Sequence, residues 1–189
     1  MKKLIFIICI FCIGLNYSQN IMSFDEVIDN NGFFKDGYHI KDTKNELDKF
    51  VGTWKGSFMG NSYEFRIEKQ LKYNDGYFFL DKLFIRSLIK DINGTTLLNT
   101  ITTPLEDLYF KGRKFTSKNY DNYLLMYIED MKCNLQGDVY FTIFENNTKI
   151  KVELFIPFNI VSKEECPDIN KHSLLPQKRQ NEFMILTKQ

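Results

Sequence analysis

The stretch FVGTWK, residues 50–55, constrains the fold of this chain more than any other part of the sequence. Gly52 lets the chain bend sharply out of a helical turn, because glycine has no Cβ and accepts unusual backbone angles. Trp54, two residues later, carries a side chain large enough to close one end of a barrel. The pair predicts a helical turn that leads directly into the first strand of a β-barrel.

The sequence that follows this motif has the period of β-strands. Tyr63, Phe65 and Ile67 alternate with polar residues, and residues 149–156 alternate in the same way. Alternation of this kind places one set of side chains on a dry face and the other in water. Turn residues separate the segments, and Asn93 with Gly94 suits a two-residue type I′ hairpin. We predict an all-β fold over residues 50–189, an antiparallel up-and-down β-barrel of about eight to ten strands.

The segment before the barrel, residues 20–49, predicts two short helices. Ser23 with Glu26 and Thr43 with Glu46 both have the spacing of a capping box, in which a hydroxyl and a carboxylate satisfy free backbone N–H groups. The second helix would carry apolar side chains on one face and lie across the barrel mouth. We therefore expect a short helix to close one end of the barrel.

The first nineteen residues have the layout of a secretory signal peptide. Lysines at positions 2 and 3 precede an apolar run over residues 4–15, and small and polar residues follow. The run is shorter than the roughly 20 residues of a membrane-spanning helix. Cys9 and Cys12 follow large residues rather than small ones, which disfavours a lipid anchor. We predict a secreted or periplasmic protein with no membrane span after processing.

Composition narrows the classes of partner. The formal net charge of the chain is +1, so no global field attracts polyanions such as nucleic acid. Cys133 and Cys166 are the cysteines that survive removal of the leader, and export to an oxidising compartment makes them a candidate disulfide. The alternative is a pair of buried thiols that never meet.

The residues that would carry catalysis or metal binding are sparse. His39 and His172 are the two histidines, and neither has carboxylates or cysteines at ligand spacing around it. Sequence motifs of nucleophilic serines, phosphate-binding loops and dinucleotide sites are missing. We predict that the protein is not an enzyme and has no catalytic residue, metal or cofactor; an enzyme stays open as the third reading.

A basic segment lies near the middle of the chain. Lys111, Arg113 and Lys114 occur without a neighbouring acid and are interleaved with aromatic residues over the range 109–120. Such segments bind glycans, anionic head groups or single-stranded nucleic acid, although export argues against nucleic acid. A solvated hairpin turn with core aromatics explains the pattern equally well.

A helical turn, the Gly52–Trp54 motif, an antiparallel meander and a C-terminal strand together resemble the calycin superfamily, the lipocalins and fatty-acid-binding proteins. The leader and the ending FMILTK also make the chain similar to small secreted bacterial lipocalin-like proteins. The resemblance implies a barrel interior that accepts an apolar small molecule. It also implies that Trp54 closes the barrel end beneath a basic side chain from a late strand, Arg179 or Lys188. The Arg-x-Tyr by which fatty-acid-binding proteins hold a carboxylate has no counterpart here.

Two functions follow as hypotheses. In the first, the barrel binds a small hydrophobic ligand, and the interior-facing candidates are Phe65, Ile67, Phe79, Met126, Phe141, Val152 and Leu154. In the second, the core is filled and the protein is an interaction module. Its partner would be a protein or a cell-envelope polymer, contacted through the basic segment or the irregular stretch 159–180.

Overall fold

A computed structural model of the chain describes residues 20–32, 36–131, 133, 135–157, 164, 166 and 173–189. The predicted leader, His172 and most of the stretch 159–180 lie outside these residues. Among the described residues, the α-helix α1 spans Phe24–Asp29, and short 3-10 helices span Asp48–Phe50, Leu105–Asp107 and Lys178–Gln180. The strands are β1 Ile21–Ser23, β2 His39–Lys41, β3 Gly52–Phe58, β4 Asn61–Asn74, β5 Phe79–Lys90, β6 Thr96–Asn99, β7 Phe110–Phe115, β8 Asn122–Asp130, β9 Leu135–Phe144, β10 Lys149–Phe155 and β11 Met184–Lys188.

Eight of these strands form a closed barrel, in the order β3-β4-β5-β7-β8-β9-β10-β11. β11 returns to pair antiparallel with β3, which places Lys188 opposite Trp54. β5 and β7 pair antiparallel through Phe84 and Lys111 and complete the ring. The predicted all-β, antiparallel up-and-down barrel is confirmed. Within the described residues, no helix is long and apolar enough to cross a membrane.

The remaining strands are accessory and attach to one edge of β5. β2 pairs in parallel with the start of β5, at Phe79 and Leu80, and β1 extends this small parallel ribbon. β6 pairs antiparallel with the end of β5. The long β5 therefore pairs with β2, then β7, then β6 along one of its edges. The N-terminal part of β5 lies toward α1.

Aromatic side chains fill the barrel at mid-height. Phe65 on β4 and Phe141 on β9 stack with ring centroids 6.1 Å apart and planes 10° from parallel. These strands lie on opposite sides of the ring, so the contact crosses its diameter. Phe110 packs 5.3 Å from Phe65 and 4.7 Å from Tyr127. Side chains that touch across the axis leave no space for a ligand at this level.

The lower end of the barrel is closed by the 3-10 helix Asp48–Phe50 and the indole behind it. Trp54 is fully buried, and its Nε1 donates to the carbonyl of Phe50 at 2.7 Å. The Nζ of Lys188 lies 5.2 Å from the centre of the indole and donates to the carbonyl of Lys49 at 3.0 Å. Lys188 is thus the basic residue above the tryptophan, whereas Arg179 lies over the ring of Phe155.

The prediction of a second helix just before the barrel is wrong, because both its start and its length differ in the structure. Leu47 precedes the 3-10 helix without a side-chain cap, and Asn45 has a φ of 58°, a left-handed angle that interrupts any longer helix. The carboxylate of Asp42, rather than Thr43, accepts the N–H groups of Glu46 and Leu47 at 2.8 and 3.0 Å. A single 3-10 turn therefore closes the lower end of the barrel, where the sequence predicted a longer helix.

The upper end is closed by the chain that follows the disulfide. Cys133 and Cys166 are bonded, with sulfurs 2.02 Å apart, which confirms the predicted pair. Leu175 is buried in the core cluster, and the hydroxyl of Tyr63 donates to the carbonyl of Leu174 at 2.6 Å. The disulfide links the turn between β8 and β9 to this closing segment.

Helix α1 begins with the capping box that the sequence predicts. The Ser23 hydroxyl accepts the N–H of Glu26, and the Glu26 carboxylate accepts the N–H of Ser23. The helix packs its apolar face against β7, with Phe24 in an edge-to-face contact 5.2 Å from Phe115. Phe115 also packs 6.2 Å from Phe50 and 4.9 Å from Tyr123, so α1 lies beside the closed lower end of the barrel, next to the basic strand.

Candidate functional site

The structure separates the predicted interior residues into two groups. Phe65, Ile67, Phe141, Val152 and Leu154 all lie in the buried core. Phe65 and Phe141 contact each other across the axis and form, with Phe110, what we call the aromatic bridge, and the other three lie in the same core cluster. Their burial supports the predicted dry interior but not a volume for a ligand among them.

Phe79 and Met126 do not lie in the core cluster, which corrects their assignment to the interior. Met126 is half-exposed between Leu125 and Tyr127, whose side chains are buried on the inner face. Phe79 is half-exposed at the start of β5, with the Nζ of Lys72 5.3 Å from its ring centre. Because β8 is apolar on both faces, the sequence pattern could not say which parity points inward.

The most enclosed of the spaces lined by described residues lies between α1 and the barrel, beside the lower end. It is a cleft of about 220 Å³, which we call the α1 cleft. Its walls come from α1 and the turn after it, from β2, from the β4–β5 hairpin and from β7. They are formed by Phe24, Val27, Gly32, Ile40, Asp75, Phe78, Leu80, Gly112, Arg113 and Lys114. Most of the surface is apolar, with two basic side chains and one acid.

A β-bulge in β7 forms one wall of the α1 cleft. Gly112 pairs with Leu125 and Lys114 with the adjacent Leu124, so Arg113 is an extra residue in the strand. A Cβ at Gly112 would lie 2.5 Å from the hydroxyl of Tyr123. Bulges redirect side chains where they interrupt a ladder. Both basic residues line the cleft, and the bulge depends on a glycine at position 112.

Lys114 lies against the turn that ends α1. A Cβ at Gly32 would lie 2.8 Å from the Nζ of Lys114, and Gly32 has a φ of +83°. Within the described residues, no carboxylate forms an ion pair with this ammonium group. Gly32, Val27 and Lys114 also line a second, more open cleft of about 410 Å³ on the other side of α1. The Lys114 side chain therefore forms part of the wall of both clefts.

The other charges around the α1 cleft are paired. The carboxylate of Asp75 accepts from the Nζ of Lys82 at 2.6 Å, and Lys82 is almost fully buried beside the ring of Tyr73. Arg113 donates through Nη1 to Asp138 at 3.1 Å. Only Lys114 among these groups carries a charge that the described chain does not neutralise, so the cleft has a positive end.

A buried histidine–aspartate pair supports the floor of this cleft. His39 Nε2 lies 2.7 Å from Asp81 Oδ1, and the Asp81 carboxylate also accepts the N–H groups of Lys72 and Asp42 at 2.8 and 3.0 Å. Burial works to raise the pKa of Asp81, but these hydrogen bonds outweigh it and hold the pKa below its usual range. The pair joins β2 to β5 on either side of Ile40, a residue of the cleft wall.

No local pattern in the sequence predicts this pair, because its partners are far apart in the chain. In the sequence His39 is an isolated histidine. The pair has no adjacent nucleophile in the hydrogen bonds of the described residues, and no group of three or more His, Cys, Asp or Glu converges there as a metal site. Its contacts are those of a structural clamp.

The predicted basic surface segment is broken up by the fold. The Nζ of Lys111 donates to the carbonyl of Glu106, and Lys118 pairs with Asp29 of α1 at 2.6 Å. Arg113 reaches Asp138 and Lys114 enters the α1 cleft. The segment therefore does not present one continuous cationic face.

Comparisons with known proteins returned no match from a scan of protein-family models, from the curated proteins or from the solved structures.

Proposed function

We propose that this chain is a secreted, non-enzymatic, lipocalin-like binding protein whose ligand site is the α1 cleft rather than the barrel interior. The observation that carries the proposal is the aromatic contact between Phe65 and Phe141, which occupies the axis of the barrel. This contact leaves no room for a ligand between the two rings, and the α1 cleft is the most enclosed of the described spaces.

The size and the walls of the α1 cleft favour a small ligand. Its volume of about 220 Å³ lies below the usual range of roughly 300 to 1,000 Å³ for pockets that bind drug-sized molecules. Phe24 and Val27 from α1 face Ile40 and Leu80 from the barrel side, and all four are buried. Such a cleft suits a molecule with a short apolar part and few polar groups.

Secretion is proposed from the leader and from the disulfide. A basic, then apolar, then polar N-terminal segment is typical of exported proteins. The bonded pair Cys133 and Cys166 suits an oxidising compartment, because cytosolic thiols are kept reduced.

The alternative is an interaction module with a filled core, acting through the basic segment. The filled core supports it. The partners of the basic side chains weaken it, because Lys111, Arg113 and Lys118 are each engaged by groups of the same chain. We therefore prefer a small-molecule site, and partner capture that depends on Lys111 would reverse this preference.

The proposal is tested by a thermal-shift screen of the purified protein against small acids, alcohols and amines with short apolar groups. Val27→Phe places a ring in the α1 cleft, and Val51→Phe adds the same ring beneath the barrel as a matched control. We expect ligands to raise the Tm of the wild type and of Val51→Phe but not of Val27→Phe, with unchanged Trp54 emission. Binding that survives Val27→Phe and changes Trp54 emission would place the ligand in the barrel and overturn the proposal.

A further inference from the structure

We infer that the α1 cleft selects small amphipathic oxyanions, with the acid head on Lys114 and the apolar part against Phe24 and Leu80. This inference rests on the proposed function, because it names the ligand class of the same cleft. The head group is a carboxylate or a phosphate monoester, and the two are separated by the experiment.

The ammonium group of Lys114 is the first feature that favours an anion. Its side chain is half-buried, and its ammonium lies at the turn that ends α1 without a carboxylate partner in the described chain. Val27 and Phe115 lie beside it in the second cleft. An ammonium group among apolar side chains loses hydration, and an anion that binds there restores the lost interaction.

The guanidinium group of Arg113, at the bulge, is the second feature that favours an anion. Its Nη1 donates to Asp138, while none of the hydrogen bonds among the described residues uses its Nε or Nη2. Guanidinium groups bind oxyanions through two parallel N–H donors, and Arg113 retains that capacity. The bulge brings Arg113 and Lys114 into the wall of one cleft.

The pairing of Asp75, the single acid in the wall of the α1 cleft, also favours an anion. Asp75 would repel an anion if its charge were free. It is instead paired with Lys82 at 2.6 Å, and Lys82 is only 3% exposed. The apolar walls then hold the rest of the ligand, and their limited volume excludes long acyl chains.

The experiment is calorimetric titration of the purified protein with matched probes: hexanoate, hexyl phosphate and hexanol, and phenylacetate with 2-phenylethanol. Lys114→Met keeps the aliphatic stem and removes the charge, and Gly32→Ala displaces the ammonium without removing it. Lys111→Met makes the same change on the same strand outside the α1 cleft, since Lys111 donates to a backbone carbonyl.

We expect the acids to bind at least about tenfold more tightly than the matched alcohols, the gain of one charge-assisted hydrogen bond. Lys114→Met and Gly32→Ala should remove this preference, and Lys111→Met should retain it. Whichever of hexanoate and hexyl phosphate binds more tightly identifies the head group. Acids and alcohols of equal affinity, with binding still lost in Val27→Phe, would overturn the anion inference alone. Absence of binding by every probe, with no effect of Val27→Phe in the wider screen, would overturn the proposed function as well.

Discussion

Phe65 and Phe141 stack across the diameter of the barrel, with ring centroids 6.1 Å apart and ring planes within 10° of parallel. The two residues come from strands that are not neighbours, and both are fully buried. Their contact fills the barrel axis at this level. The most enclosed of the described spaces is instead the α1 cleft, beside the lower end of the barrel.

Removal of one ring of this pair should open the interior. Phe141→Ala is expected to destabilise the protein by about 3 to 5 kcal/mol, because a large buried side chain is lost and a cavity is left. Urea unfolding measures the change. Phe183→Ala, the same substitution at a 52% exposed position, should cost much less. Similar losses for the two variants would mean that the aromatic bridge is not part of a packed core.

The contact between Lys188 and Trp54 should contribute to closure of the lower end. Lys188→Met retains the aliphatic stem but removes the cation above the indole and its hydrogen bond to the carbonyl of Lys49. We expect a loss of about 1 to 2 kcal/mol, together with a shift in Trp54 emission. The exposed Lys41→Met serves as the control. An unchanged emission spectrum in Lys188→Met would contradict the contact.

The disulfide should stabilise the upper end of the barrel. Cys133 and Cys166 are separated by 33 residues, and closing a loop of this length is worth about 3 to 4 kcal/mol in the chain-entropy model. A reducing agent is therefore expected to lower the free energy of unfolding of the wild type by this amount. The double variant Cys133→Ser with Cys166→Ser should start lower and show no response. Equal stability with and without reductant in the wild type would refute this role.

Asp81 should make the stability of the protein depend on acid pH. Its pKa is lower in the folded chain than in the unfolded chain, where it is near 4. The stabilisation is therefore complete above about pH 4, and it is lost as pH falls through the folded value, because the unfolded chain binds the proton first.

Asp81→Asn tests this directly. The amide keeps the shape of the carboxylate but cannot accept from Lys72 and Asp42 as a charged group, so we expect a loss of about 2 kcal/mol at pH 7. The difference between wild type and variant should shrink below about pH 4. Asp36→Asn, at an exposed position, is the control. A difference that stays constant from pH 7 to pH 3 would contradict the assigned direction of the pKa.

Local patterns in the sequence were sufficient for some elements. Ser23 and Glu26 form the predicted capping box, since that motif involves residues three apart. Other local patterns misled. Asn93 and Gly94 lie in a longer turn than the predicted two-residue one, because the carboxylate of Asp91 accepts the N–H groups of Asn93 and Thr95 at 2.9 and 2.7 Å.

The α1 cleft could not be predicted, because its walls come from four separate parts of the chain. The sequence identified Arg113 and Lys114 as basic residues of a hairpin. It could not indicate that both would line one cleft at a bulge, nor that Gly32 would lie against the ammonium of Lys114. These relations depend on register and on the path of the N-terminal segment over the barrel.

The sequence by itself determined the closed antiparallel barrel and its tryptophan-sealed end, because alternation and the Gly52–Trp54 spacing are properties of neighbouring residues. Only the tertiary structure decided that Phe65 and Phe141 fill the barrel axis and that the most enclosed of the described spaces lies beside α1. Burial across a barrel depends on which side chains meet from opposite strands, and residues 65 and 141 meet only after the ring has closed.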